Sequence, residues 1–206
     1  METLQYRYVI RQYHLFILMN KIAEQVSGII LAGGEGKRVG GVDKGLLEYR
    51  GKPLIEHVIE KIIPQVDDIV ISANRNTKQY QRYSETVIAD ETEQYLGPLA
   101  GIYAALPHAL HDRVLIVACD TPCLPTDIID KFSRSKPETH LHIATSNNRL
   151  QLVMMLHKNL HRSIGQALID GQLRLMQWVK SQQPEMVEFE DESAFRNFNN
   201  NDEFDS

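Results

Sequence analysis

The chain has 206 residues, 43% of them hydrophobic and 24% charged, with 12 Gly and 8 Pro. That usage excludes a disordered, collagenous or coiled-coil protein and fits one α/β domain burying about 70% of its unfolded surface. Lys and Arg number 22 against 27 Asp and Glu, a net charge of -5, which lacks the basic footprint of a nucleic-acid or anionic-membrane binder.

The only cysteines, Cys119 and Cys123, assemble neither a disulfide framework nor a four-ligand zinc site, so a reducing, cytoplasmic setting is expected. Near the N-terminus, the apolar run His14 to Met19 falls short of the about 20 residues a spanning helix needs, and no small-residue cleavage pattern follows it. Met19 opens the stretch MNKIAEQVSG. Residues 1–18 are therefore expected to be a non-native or disordered extension ahead of a single domain over 19–206.

From residue 26 onward, apolar runs of five to seven residues alternate with helical periods, the pattern of βαβ units and a mostly parallel sheet. VSGIILA (26–32) reads as a buried first strand. Leu54, Ile55, Val58, Ile59, Ile62 and Ile63 share one helical face, with Pro53 in the first turn and Pro64 at the stop. Further strands are expected over 67–74, 86–90 and 113–120, separated by helices near 76–83 and 99–110. Strands over 140–145 and 150–157, helices over 159–170 and 173–180, and a last strand over 186–189 complete the reading.

In an open α/β sheet ligands bind beyond the carboxyl ends of the strands, and here those ends carry LAGGEGKR (31–38), SAN (72–74), Asp90 and CDTP (119–122). Between Gly33 and Lys44 lie five glycines and three cations. Such a loop lets backbone N–H groups approach phosphate oxygens, while Arg38 and Lys44 neutralise a polyanion. The spacing is neither G-x-x-x-x-G-K-[ST], since no Gly-Lys precedes Ser or Thr, nor G-x-G-x-x-G, since the sixth position from Gly34 is Val39. Asp120 closes the apolar run RVLIVAC, where one carboxylate oxygen suits Mg²⁺ completed by water and phosphates; its plainer reading is a turn cap. Asp90 is a candidate acceptor for a base or sugar.

The blocks LAGGEGKRVGGVDKGLLEYRGKPLIEHV (31–58), ISANR (71–75), VIADE (87–91), GPLAGI (97–102), CDTPCLP (119–125) and AFRNFN (194–199) occur in order along the chain. On these the sequence resembles the molybdenum cofactor guanylyltransferases. The resemblance implies a Rossmann-like, three-layer nucleotidyltransferase fold that binds GTP and Mg²⁺ and transfers GMP to molybdopterin, releasing pyrophosphate. It places the guanine and ribose against Leu31, Ala32 and Gly33, with Asp90 as a further nucleotide contact. Arg38 and Lys44 would grip the phosphates, Asp120 would bind Mg²⁺ and GTP together, and Asn197 and Asn199 would face molybdopterin. Proteins that deliver molybdopterin and chaperones of molybdoenzymes are the protein partners it implies.

Two features depart from the pattern: Ser72 stands where the family commonly has Asn, with Asn74 two positions on, and Gln151-Leu152 replaces the usual His-Pro or Gln-Pro. The rival readings are a related transferase using CTP or a sugar phosphate, and a GTP-binding adaptor without turnover. His157 and His161, four apart, lack the companion ligands of a metal site, Trp178 reads as core packing, and Cys119 as a buried thiol rather than a nucleophile. Glu188, Glu190, Asp191 and Glu192 read as a solvated acidic edge.

Overall fold

The structure, a computed structural model, describes residues 25–34, 42–90, 96–136 and 138–198. The expectation for residues 1–18 lies outside them. β1 (Val26–Leu31) is buried on both faces, as its apolar residues Val26 and Ile29 to Leu31 demand: Ile30 enters one core and Ile29 the other. It is flanked by β4 (Asp68–Ser72) and β6 (Arg113–Ala118), both parallel to it. β5 (Thr86–Ile88) adds in parallel to β4. On the far side come β8 (Arg149–His157), β7 (Leu141–Ser146) and the edge strand β9 (Glu185–Glu188), giving the order β5-β4-β1-β6-β8-β7-β9. β8 is antiparallel to both its neighbours, whereas β7 and β9 pair in parallel. The sheet is thus mostly parallel, as expected, with one reversed strand.

The reversal follows from a local signal. Asn147 and Asn148 both have positive φ (50° and 59°), forming the two-residue turn that joins antiparallel strands with the correct twist. A second tight turn, at Arg50-Gly51 (φ 49° and 79°), links β2 (Glu48–Tyr49) to β3 (Lys52–Pro53), a small hairpin absent from the sequence reading. Pro53 accordingly ends a strand instead of occupying the first helical turn.

Two helical layers cover the sheet. α1 (Leu54–Ile62) buries Ile55, Val58, Ile59 and Ile62 on one face, beside Tyr80 of α2 (Thr77–Tyr80) and Phe132 of α4 (Ile128–Arg134). On the other face lie α3 (Pro98–Ala105), α5 (His161–Ile169) and α6 (Leu175–Ser181), which bury Leu99, Ile102, Ile164 and Trp178. Trp178 is 1% exposed and donates its indole N–H to Ser163 Oγ at 3.2 Å. α4 was missed because its seven residues hold only two fully buried apolar positions, Ile128 and Phe132, too few for a periodic signal. The stretch 99–110 begins one residue earlier and tightens into a 3₁₀ turn at Leu106–His108, where Pro107 has no N–H to continue an α-helix.

Chain order decides where the site lies. After β1 the chain builds β4 and β5 on one side, then crosses to β6 on the other. The carboxyl end of β1, between Ser72 and Ala118 in register, is therefore the topological switch point at which an open α/β sheet binds its ligand.

Candidate nucleotide site

The three central strands deliver their last residues to one place. Ala32 N donates to Ser72 O at 2.8 Å and Cys119 N donates to Leu31 O at 3.1 Å, so the sheet hydrogen bonding runs on past the strands and fixes Leu31 and Ala32 between β4 and β6. Ala32 is buried, Leu31 and Gly33 are half-buried, and Gly34 is exposed. Residues 35–41, and with them Arg38, lie outside the described residues.

The chain re-enters at Val42 and turns through Lys44–Leu46, a 3₁₀ segment. Lys44 Nζ contacts Asp120 Oδ2 at 3.1 Å, with the side chains 23% and 14% exposed. These two residues, separated by 75 others in the sequence, are thus brought together at the mouth of the switch point. The backbone carbonyl of Asp120 accepts from Phe198 N at 2.9 Å, which brings Asn197 of the C-terminal segment beside the same strand end. Asn197 is exposed; Phe198 is buried against Tyr49, with ring centroids 4.6 Å apart. Asn199 lies outside the described residues.

The second half of the site forms beyond β4 and β5. Asn74 Nδ2 donates to Asp90 Oδ2 at 2.9 Å, and Asp90 N donates back to Asn74 Oδ1 at 2.8 Å. This reciprocal pair locks the carboxylate in place. Asp90 Oδ1 is sealed from solvent and has no hydrogen-bond partner among the described residues, a costly state for a carboxylate oxygen unless a ligand donor completes it. Asn74, two positions past Ser72, is therefore the residue that engages Asp90. Ser72 instead faces α3: a Cβ at Gly101 would stand 2.7 Å from Ser72 Oγ and 3.6 Å from both Asp90 Oδ1 and Leu31 Cδ2. Gly101 is glycine because the helix packs this closely onto the strand ends, which explains part of the GPLAG block.

The sequence reading passed over a set of residues that touch the phosphate-loop flanks. Arg75 Nη2 donates to Gly34 O at 3.0 Å and to Val42 O at 3.1 Å. Asp43, 6% exposed, accepts from Tyr80 OH at 2.5 Å and from Asn76 Nδ2 at 3.1 Å. Arg75 and Asp43 stood inside quoted motifs, but nothing in either motif reveals a contact across more than 30 positions. Burial pushes the Cys119 thiol well above its usual pKa, and the Asp120 and Asp43 carboxylates push it further. It is a packed thiol against Gly45, not a nucleophile.

Three groups of this kind fit a nucleoside triphosphate. Lys44 supplies positive charge, and Asp90 and Asp120 supply carboxylates, at neighbouring strand ends. The described residues contain no cluster of three or more metal-ligating side chains.

Comparisons with known proteins agree with this geometry. The MobA-like NTP transferase domain matches residues 28–186. The molybdenum cofactor guanylyltransferase of Shewanella amazonensis is 38% identical over 179 residues, covering 85% of this chain and 91% of its own. That of Shewanella pealeana is 40% identical over 182 residues, covering 86% and 91%. The fold is shared with the crystal structure of molybdopterin-guanine dinucleotide biosynthesis protein A from Archaeoglobus fulgidus, at 22% identity and a TM-score of 0.67 over 87% of this chain and 95% of that one. With the family profile spanning well over half its length, this chain belongs to the MobA-like NTP transferase family and is a nucleotidyltransferase.

Proposed function

We propose that the protein transfers GMP from GTP to the terminal phosphate of molybdopterin, releasing pyrophosphate. The observation that carries this reading is the Lys44–Asp120 pair, 3.1 Å apart at the switch point, facing the strand end where Asp90 keeps an unpartnered carboxylate oxygen. The curated relatives, named as guanylyltransferases, support the same substrates.

The base lies against Leu31, Ala32 and Gly33. Guanine presents two adjacent N–H donors on its pairing edge, and Asp90 is an acceptor-only group at that end of the site. A base without those donors leaves the buried oxygen unsatisfied, the situation in which hydrogen-bonding sites discriminate most strongly. Lys44 donates to the phosphates and, with Arg38 on the loop, balances charge as pyrophosphate leaves. A molybdopterin phosphate oxygen attacks the α-phosphorus in line; one P–O bond forms, the bond to pyrophosphate breaks, and no covalent enzyme intermediate is needed. Asp120 is the residue to hold Mg²⁺, which when bound draws the phosphate oxygens together and screens their charge. Asn197, tethered beside Asp120 through Phe198 N, and Asn199 serve the molybdopterin side.

No helix among the described residues is long and apolar enough to cross a membrane. The setting we infer is the cytoplasm, with molybdopterin-delivering proteins and molybdoenzyme chaperones as partners. The readings with CTP, with a sugar phosphate, or as an adaptor without turnover are not favoured, because the relatives are guanylyltransferases.

The test is pyrophosphate release by the full chain with Mg²⁺ and molybdate-loaded molybdopterin, offering GTP, CTP, ATP and UTP separately. Turnover is expected with GTP alone, and Lys44→Ala or Asp120→Asn should each lower the rate on the order of 10²-fold. Equal turnover with CTP, or an Asp120→Asn variant with undiminished Mg²⁺-dependent rate, overturns the reading.

A further inference from the structure

Lys44 is useful only if its long, flexible side chain starts from a fixed backbone. The residue before it, Asp43, is a buried carboxylate. Asp43 is 6% exposed, and a charge so enclosed is retained only when its oxygens are satisfied. Each oxygen has one donor: Tyr80 OH reaches Oδ1 at 2.5 Å and Asn76 Nδ2 reaches Oδ2 at 3.1 Å. Both donors belong to the segment that follows β4. Arg75, from the same segment, holds the carbonyl of Val42 at 3.1 Å. Asn76 adopts φ 52°, in the left-handed region that Asn enters more readily than most residues.

The far side of Lys44 is pinned by the same hydroxyl. A Cβ at Gly45 would stand 2.5 Å from Tyr80 Oη and 3.3 Å from Cys119 Sγ, so the backbone at Gly45 rests directly on Tyr80. Tyr80 itself is fully buried, and burial raises its phenol above the ordinary range, so the hydroxyl stays a donor at every working pH. A buried carboxylate held by neutral donors is a poor way to gain stability, since an apolar pair of similar shape avoids the desolvation cost. Its value lies in the geometry it enforces.

We propose that Asp43, Tyr80 and Asn76 are positioning residues for Lys44: anchoring both Asp43 oxygens from the segment after β4 fixes the backbone from which the Lys44 ammonium reaches Asp120 and the nucleotide phosphates. This rests on Lys44 acting on those phosphates as set out above. None of the three touches substrate, and their whole effect on the reaction passes through Lys44.

That dependence is testable in the full chain with Asp43→Asn and Tyr80→Phe, each made alone and on a Lys44→Ala background. Displacing a catalytic group by about 1 Å is worth up to 10²-fold, so each single variant should lower kcat/KM for GTP roughly 10-fold or more. On the Lys44→Ala background the same substitutions should change it less than about twofold, because coupled residues are not additive. Equal losses in the two backgrounds mean a general structural role and overturn the proposal. Tyr80→Phe, which removes one oxygen, serves if Asp43→Asn does not fold. A crystal structure of either folded variant gives an activity-independent reading: Lys44 Nζ should have left Asp120, and retention of the 3.1 Å contact refutes the positioning role. If the wild-type chain releases no pyrophosphate from GTP, the functional reading fails and this structural arm alone decides the proposal.

Discussion

Replacing Gly101 by Ala adds a single methyl group where α3 meets the strand ends. The new Cβ would lie 2.7 Å from Ser72 Oγ, where ordinary contact begins at 3.4 Å, so one element must yield by about 0.7 Å. Ser72 is tightly held: it is 1% exposed, and its carbonyl is bonded to Ala32 N. Overpacking of this kind costs about 1–3 kcal/mol, offset by the about 0.5–1 kcal/mol that Ala gains over Gly within a helix. The net loss is about 1–2 kcal/mol, which for a domain of this size lowers Tm by roughly 2–8 °C. Because Asp90 Oδ1 and Leu31 are 3.6 Å from the same point, the displacement also reaches the nucleotide end of the site, and KM for GTP should rise more than kcat falls. Calorimetry and initial-rate measurements on Gly101→Ala, Ser72→Ala and the double variant test this. Removing Ser72 Oγ should restore most of the lost Tm in the double variant. A Gly101→Ala protein with unchanged or raised Tm, or a double variant no better than the single one, refutes the close-approach argument.

Two further predictions concern titration and reactivity. Hydrogen bonds from Lys136 and Ser135 hold the Glu185 carboxyl below its ordinary pKa; a carboxyl depressed in the folded state contributes stability above its unfolded pKa, and that contribution fades as pH falls through the folded value. Lys136→Met should therefore move the Glu185 titration, followed by NMR, upward towards the ordinary carboxylate range, and an unmoved titration refutes the assigned cause. Of the two thiols, exposed Cys123 should react promptly with a thiol reagent in the native protein. Cys119, 6% exposed with its pKa raised, should react only on unfolding; two fast thiols in the native state contradict the packing of Lys44–Leu46 over Cys119.

The alternation of buried apolar runs with helical periods was enough to read an α/β chain with a mostly parallel sheet, because hydrophobic period is a local property and β1, β4 and β6 must be apolar on both faces. That Leu31, Ala32, Gly33, Asp90 and Asp120 gather along one edge of the sheet was legible for the same reason: parallel strands deposit their last residues on one edge whatever their order. Short elements escaped. The β2–β3 hairpin has two residues per strand, and α4 owes its existence to Phe132 docking under the sheet, a contact no local window contains.

Distance in the chain drew the remaining line. That Lys44 meets Asp120, and that the carboxylate before Lys44 is filled by Tyr80 and Asn76, depends on how closely the segments after β1, β4 and β6 pack together. The Asn74–Asp90 lock likewise exists only because β4 and β5 run side by side in register. Sequence by itself determined the longer elements, the mostly parallel sheet and the charged residues that lie at its strand ends. Only the tertiary structure decided which buried polar atoms satisfy one another and which, like Asp90 Oδ1, have no partner among the described residues, because hydrogen-bond satisfaction is settled by fractions of an ångström between groups that the chain itself holds far apart.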